Sequence, residues 1–181
     1  MKKIFSLVFF SLLLMSCAEA PVAQVHYYLL NTPSLKKSEQ APLSTKKQNL
    51  LTIKQVVLPQ YLNQASIVML IDHNQLHYAR YHVWAENLNI AITKQIKHVI
   101  AQQNNVSNST QVTIEIDHFY PTEQSEVILA GHYRFKKANN DKQLVNFSFK
   151  QALKSDGYAQ AVLQMQQLVT LLAQDIIAHS K

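Results

Sequence analysis

The sequence contains very little glycine. Only Gly131 and Gly157 occur among 181 residues, and they stand far apart. Walker loops, dinucleotide fingerprints and nucleophile elbows all need clustered glycines, because these loops turn tightly and bring the backbone close to a ligand. The sequence therefore excludes all three motifs.

Basic residues are too few and too scattered for a nucleic-acid surface. The chain has two arginines, Arg80 and Arg134, and a formal net charge of +6 at pH 7. Nucleic-acid binding uses basic residues that cluster on one face and alternate with aromatic residues. No segment has that pattern, so we expect no nucleic-acid partner.

Cysteine occurs once, so the chain cannot form an internal disulfide. Two lysines precede an apolar run at residues 4–15, which is the layout of a secretory signal. A run of about 12 residues is too short to cross a hydrocarbon core, which needs roughly 20. It ends in residues 14–17 (LMSC), which resemble the lipobox of bacterial lipoproteins. In that class the cysteine thiol is diacylated and becomes the first mature residue. We therefore expect cleavage between Ser16 and Cys17 and a covalent lipid on Cys17.

These features divide the chain into three predicted parts. Residues 1–16 form the signal peptide, residues 17–24 a lipidated tether and residues 25–181 a single α+β domain. The formal charge falls from +6 to +4 when the two signal lysines are removed, and no later segment is expected to span a membrane. Under enterobacterial sorting rules an Asp after the cysteine favours the inner membrane. By resemblance to those rules, Ala18 favours the periplasmic face of the outer membrane.

The first half of the domain is predicted to form strands followed by a helix. Apolar and β-branched runs predict strands at residues 25–30, 50–58, 66–71 and 76–79. Residues 86–103 are predicted to be helical, with Glu86 in the first turn, where a negative charge suits the helix dipole. The predicted apolar helix face consists of Leu88, Ala91, Ile92, Gln95, Ile96, Val99 and Ile100. Residues 31–49 contain two prolines and four lysines and are expected to form a mobile surface loop.

The second half repeats this order. Alternation predicts three strands, with inward residues Val112, Ile114, Ile116 and His118, then Val127, Leu129, Tyr133 and Phe135, then Val145, Phe147 and Phe149. A long amphipathic helix is predicted from residue 157 onwards, with Ser155 and Asp156 as its N-cap. The order strands-helix-strands-helix predicts an α+β fold, in which two amphipathic helices pack on one face of a largely antiparallel sheet.

Histidines and carboxylates are the remaining candidates for chemistry. His73 and His77 would share one face of a helix, but their surroundings predict a turn and a strand, which favours a solvated turn over a metal site. For His118 a core or sheet-edge role is favoured over a ligand role. Glu115 and Asp117 share the outward face of one strand, and nothing in the sequence buries either carboxylate. We therefore expect no enzyme activity, no catalytic residues, no metal and no cofactor, and we rank a periplasmic hydrolase far below the alternatives.

Three sequence blocks occur in a recognisable order. They are residues 27–30 (YYLL), 53–62 (IKQVVLPQYL) and 81–88 (YHVWAENL), the last of which is expected to open the first helix. Together with the lipobox they resemble the ABC-type transport auxiliary lipoproteins, the family that includes the PqiC component of the paraquat-inducible system. The resemblance spans residues 25–177.

The resemblance implies a non-enzymatic subunit of a lipid transport machine. Family members accompany an MCE-domain periplasmic protein, which forms a conduit, and an inner-membrane component beneath it. The lipoprotein would dock this conduit at the outer membrane, so that phospholipid or other hydrophobic cargo crosses between the membranes, and it could be a homo-oligomer that matches a ring-shaped partner. The alternative is a stand-alone envelope lipoprotein that acts in outer-membrane assembly or stress tolerance.

Three aromatic residues in the matching blocks are candidates for partner contacts. Tyr61, Tyr81 and Trp84 are large amphipathic side chains of the kind enriched at interfaces. Each could instead pack between the helix start and the sheet. We expect core packing for Trp84, and both roles stay open for Tyr61.

Overall fold

The computed structural model describes residues 23–31, 51–102, 110–136 and 142–180. The described residues form seven strands, two α-helices and one 3₁₀ turn. In chain order these are β1 His26–Tyr28, β2 Thr52–Val57, the 3₁₀ turn Gln60–Leu62, β3 Ser66–Leu70, β4 Leu76–Trp84, α1 Leu88–Ala101, β5 Gln111–Pro121, β6 Glu126–Lys136, β7 Lys142–Ala152 and α2 Tyr158–His179. The predicted signal peptide, the tether up to residue 22 and nearly all of the predicted loop lie outside the described residues.

The predicted α+β class and the order strands-helix-strands-helix are confirmed. The described strands are divided between a first sheet, in the order β1-β4-β3, and a second sheet, in the order β2-β5-β6-β7. The hairpin pairs β3–β4, β5–β6 and β6–β7 are antiparallel, whereas β1–β4 and β2–β5 are parallel. Parallel pairs need long crossovers, so these two pairings join strands that are distant in the sequence.

The helices pack against each other and against the second sheet, α2 over β5–β7 and α1 against β2. All seven residues of the predicted apolar face of α1 are buried, which confirms that face. Helix α2 is long and apolar enough to cross a membrane by length and composition, which the sequence analysis did not expect. Its most apolar window is 56% buried inside the domain, so packing against the sheet and α1 accounts for its apolar character.

The boundary between β4 and α1 differs from the prediction. Strand β4 was expected to end at residue 79, but it continues to Trp84 because residues 82–84 pair with β1. The block 81–88 therefore ends a strand before it opens a helix. Asn87 is the N-cap of α1, and no acidic residue lies in the first turn. Glu86 precedes the helix and forms an ion pair with Lys94.

The start of α2 also differs. The N-cap is Gly157, with φ of 105°, instead of the predicted Ser155 and Asp156. A positive φ is readily adopted by glycine, which has no Cβ. Directly after β7, Leu153 N donates a hydrogen bond to Ser125 O at 2.7 Å. The chain then turns at Gly157 and enters α2.

A β-bulge in β5 changes which residues face the core. Ile116 is buried as predicted, but the register with β6 shifts between Ile116 and His118. A bulge adds one residue to one strand and so reverses the alternation beyond it. His118 is therefore exposed, and Phe119 and Tyr120 are buried. The predicted inward orientation of His118 is wrong for this reason.

Gly131 lies opposite the bulge. A Cβ at this position would be 2.2 Å from the backbone oxygen of Glu115 and 2.9 Å from Cα of Ile116. Both atoms belong to the backbone, so they cannot move aside as a flexible side chain could. The bulged strand thus approaches β6 more closely than any residue with a side chain allows.

The segment after the bulge joins the two sheets. Leu70 at the end of β3 forms a parallel bridge with Thr122. Glu123 N donates to Leu70 O at 2.9 Å. The buried residues of both sheets belong to one core cluster.

We predict that Gly131→Ala lowers the free energy of unfolding by about 1–3 kcal/mol, the usual effect of forcing extra volume into a packed site. Urea denaturation of the purified domain measures this change. Arg134→Ala, at an exposed position of the same strand, is the control and should change stability by less than about 0.5 kcal/mol. Equal stability of the two variants would show that the close approach at Gly131 does not constrain the fold.

Candidate functional site

The histidines and carboxylates of the described residues do not form a metal-binding group. Among the described residues no group of three histidine, cysteine or acidic side chains is placed to hold a metal ion. His73 and His77 are exposed around the turn that joins β3 to β4. On the outer side of the second sheet His132 lies 3.3 Å from Glu115 and 3.9 Å from Asp117, at a partly exposed position.

A tyrosine, an aspartate and a histidine meet at the end of α2. The buried Tyr133 hydroxyl donates to Asp175 Oδ2 at 2.8 Å and lies 2.9 Å from His179 Nδ1. Burial and the bond to Asp175 raise the pKa of Tyr133. The hydroxyl therefore stays protonated, and its hydrogen bond connects the end of α2 to β6. No local pattern in the sequence indicates this cluster, because Tyr133 lies more than forty residues before Asp175 and His179.

The side chain of Tyr61 connects the 3₁₀ turn, which lies between β2 and β3, to the bulge of the second sheet. Its hydroxyl donates to the backbone oxygen of Asp117, and His118 Nδ1 lies 3.5 Å away. Burial, followed by the neighbouring Tyr120, raises the pKa of Tyr61 to about 12. The Tyr61 hydroxyl therefore stays protonated at neutral pH and can donate this hydrogen bond. Pro59, just before the 3₁₀ turn, has an extended backbone conformation, and its fixed φ suits the start of a helical turn.

A cluster of histidine and tyrosine rings connects β1, β4 and α2. The His82 ring stacks on Tyr158 at 3.9 Å and on His26 at 5.3 Å between ring centroids. The Tyr28 hydroxyl lies 2.9 Å from His82 Nδ1. Burial, and then the neighbouring His26, lower the pKa of His82. A neutral ring fits this stack, so the cluster holds the short strand β1 on the domain.

The opposite side of β1 exposes apolar and aromatic side chains. Val25, Tyr27 and Leu29 are 41%, 71% and 47% exposed. Tyr27 is the register partner of Val83 on β4, and paired residues in a sheet point to the same side. Tyr81 lies on the same strand as Val83 and is 40% exposed. We call these five residues the outer face of β1 and β4.

An open groove lies between β2 and α1. It is lined by Leu51, Thr52, Ile53, Lys97, Ile100 and Ala101. Its volume is about 230 Å³, below the range of about 300–1,000 Å³ that is typical of small-molecule sites. A phospholipid with two acyl chains cannot be enclosed there.

Comparison with known proteins assigns the chain to a family. The family model described as "ABC-type transport auxiliary lipoprotein component" matches residues 28–177. The chain belongs to this family. It is therefore an auxiliary lipoprotein component of an ABC-type transport system, and a membrane-anchored envelope protein.

Solved structures share the fold of this auxiliary lipoprotein. An uncharacterised protein of known crystal structure superposes with a TM-score of 0.70 at 17% identity, covering 87% of this chain and 99% of that chain. A protein from Xanthomonas campestris superposes with a TM-score of 0.61 at 9% identity, covering 87% of this chain and 86% of that chain. These identities show a common fold alone. No curated protein matches the chain.

The three aromatic residues that were candidates for partner contacts differ in how far they are exposed in this auxiliary lipoprotein. Trp84 is buried, 7% exposed, at the end of β4, and Tyr81 is on the exposed outer face. Tyr61 is half-buried between the sheets. Cys17 and Ser16 lie outside the described residues.

We predict that Tyr61→Phe lowers the free energy of unfolding of the auxiliary lipoprotein by about 1 kcal/mol, because the Asp117 oxygen loses its hydrogen bond. Tyr27→Phe removes the same atom from a largely exposed ring and should cost less than about 0.5 kcal/mol. Chemical denaturation of both variants provides the comparison. A cost for Tyr61→Phe no larger than for Tyr27→Phe would contradict the role assigned to Tyr61.

Proposed function

We propose that this auxiliary lipoprotein is anchored by a lipid on Cys17 to the periplasmic face of the outer membrane, where it docks the conduit of an MCE-domain lipid transport system of the Pqi type. The family match over residues 28–177 carries the proposal. The partners would be the MCE-domain periplasmic protein and its inner-membrane component. The cargo would be phospholipid or another hydrophobic molecule.

The sequence before the domain supports the anchor. Residues 14–17 (LMSC) close an apolar signal, and Ala18 follows the cysteine where an Asp would favour the inner membrane. Diacylation together with an N-terminal acyl group gives stable anchoring, which a single chain does not. Tethering then raises the effective concentration of the domain near its membrane and near a partner that reaches it.

A docking role fits the described residues better than catalysis or lipid carriage. Tyr61 and Tyr133 each lie beside a histidine, have raised pKa values and connect elements of the fold. The groove between β2 and α1 is too small for a phospholipid. We infer that cargo passes through the conduit and that this subunit determines where the conduit ends.

The accessible aromatic residues narrow the choice of contact residues. Because Trp84 is buried, it acts on partners only through the stability of β4. Tyr81 is exposed and Tyr61 is partly exposed, so both are available for contacts. If the MCE-domain conduit is a ring, several copies of the domain would surround its end.

Affinity purification of the lipidated chain from envelopes in mild detergent tests the function. We expect to recover an MCE-domain protein together with a multi-span membrane protein. The matched control is Cys17→Ala, which should incorporate no acyl label and should leave the membrane fraction.

Two results would contradict the proposal. In a strain that makes an MCE-domain protein, recovery of the lipoprotein alone would favour the stand-alone envelope role. Acyl labelling of the Cys17→Ala variant would show that the anchor is assigned to the wrong residue.

A further inference from the structure

The outer face of β1 and β4 is apolar without being part of the core. Single exposed apolar side chains are normal on a protein surface, but neighbouring ones mark an interaction site. Here Val25, Tyr27 and Leu29 alternate along β1 and the residues that flank it, and Tyr81 and Val83 lie on the neighbouring strand β4. Tyr27 and Val83 are register partners and point away from the side that holds the buried Trp84.

Folding alone does not explain this composition. On the other side of β1, Tyr28 is half-buried and contacts His82, and Leu30 just after the strand is 1% exposed. An edge strand that faces water on one side usually alternates apolar with polar residues. The outer positions of β1 have instead the side chains of a covered surface.

The position of β1 in the chain indicates what covers the face. Eight residues, 17–24, separate the lipidated cysteine from Val25. At a maximum of about 3.6 Å per residue, they reach no more than about 29 Å. The outer face therefore stays close to the membrane that holds the anchor.

The chemistry of the two strands suits a phospholipid surface. Tyrosine is enriched at membrane–water interfaces, because its ring is apolar and its hydroxyl polar. Residues 23–31 and 76–84 contain Arg80 and three histidines but no aspartate or glutamate. An anionic headgroup layer thus meets no opposing negative charge from these segments.

We propose that the outer face of β1 and β4 lies on the phospholipid headgroup layer of the membrane that holds the anchor. This inference rests on the proposed lipidation of Cys17. The lipid and the outer face would then fix the domain at two points, so that the rest of its surface faces the periplasm in one orientation.

Tryptophan fluorescence of the full lipidated protein in phospholipid vesicles tests the proposal. The natural Trp84 is buried and provides a constant background. Tyr27→Trp places a probe on the outer face, and Leu144→Trp places a matched probe at a 53% exposed site on β7 of the other sheet. The vesicles contain phosphatidylethanolamine and phosphatidylglycerol, with or without brominated acyl chains.

We expect the probe at position 27 to shift its emission to the blue and to lose intensity in brominated vesicles, while the probe at position 144 does neither. Unfolding curves equal to those of the natural protein show that both variants are folded. No quenching at position 27, or equal quenching at both positions, would overturn the proposal and would assign the outer face to a protein partner or to the chain itself.

Flotation with the vesicles separates this result from the proposed function. If the protein floats but position 27 is not quenched, the membrane-contact face is wrong and the anchor stands. If acyl label and flotation are both lost in the natural protein, the anchor at Cys17 is wrong and this proposal fails with it.

Discussion

The close approach of β5 and β6 at Gly131 is the constraint on which the rest of the structure depends. The backbone of β5 bulges there and leaves no room for a side chain. Beyond the bulge Phe119 and Tyr120 are both buried, and the Asp117 oxygen accepts a hydrogen bond from the hydroxyl of Tyr61. The bulge therefore creates the place where the first sheet joins the second.

That junction positions the strands of the first sheet. The first sheet is connected to the second through Tyr61 and through the bridge of Leu70 to Thr122. Strand β1 pairs with β4 at the edge of the first sheet. The ring of His82 on β4 stacks on Tyr158 of α2 and connects this part of the sheet to the helix. In this way a local irregularity of one strand influences where β1, the first described strand, lies on the domain.

Periodicity predicted the elements better than it predicted their partners. The seven buried residues of α1 follow from spacing alone, because a helix repeats its face every 3.6 residues. The exposed position of His118 could not be predicted, because a bulge interrupts alternation without a sequence signal. The bond from Tyr61 to Asp117 spans 56 positions, and no pattern within one segment encodes it. The extent of β4 depends on its pairing with β1, which is also a long-range contact.

The central claim is that a lipid-anchored domain holds one end of a transport conduit at its membrane. Family membership establishes an auxiliary role in transport, and the geometry adds an exposed apolar face at β1, the first described strand. An electron cryomicroscopy reconstruction of the complex isolated with the lipidated chain tests this claim most directly. The account predicts the domain bound at the outer-membrane end of the conduit, with β1 turned towards the detergent micelle around the acyl chains of the anchor. A complex without the domain at that end, or one in which β1 contacts the conduit and faces away from this micelle, would contradict it.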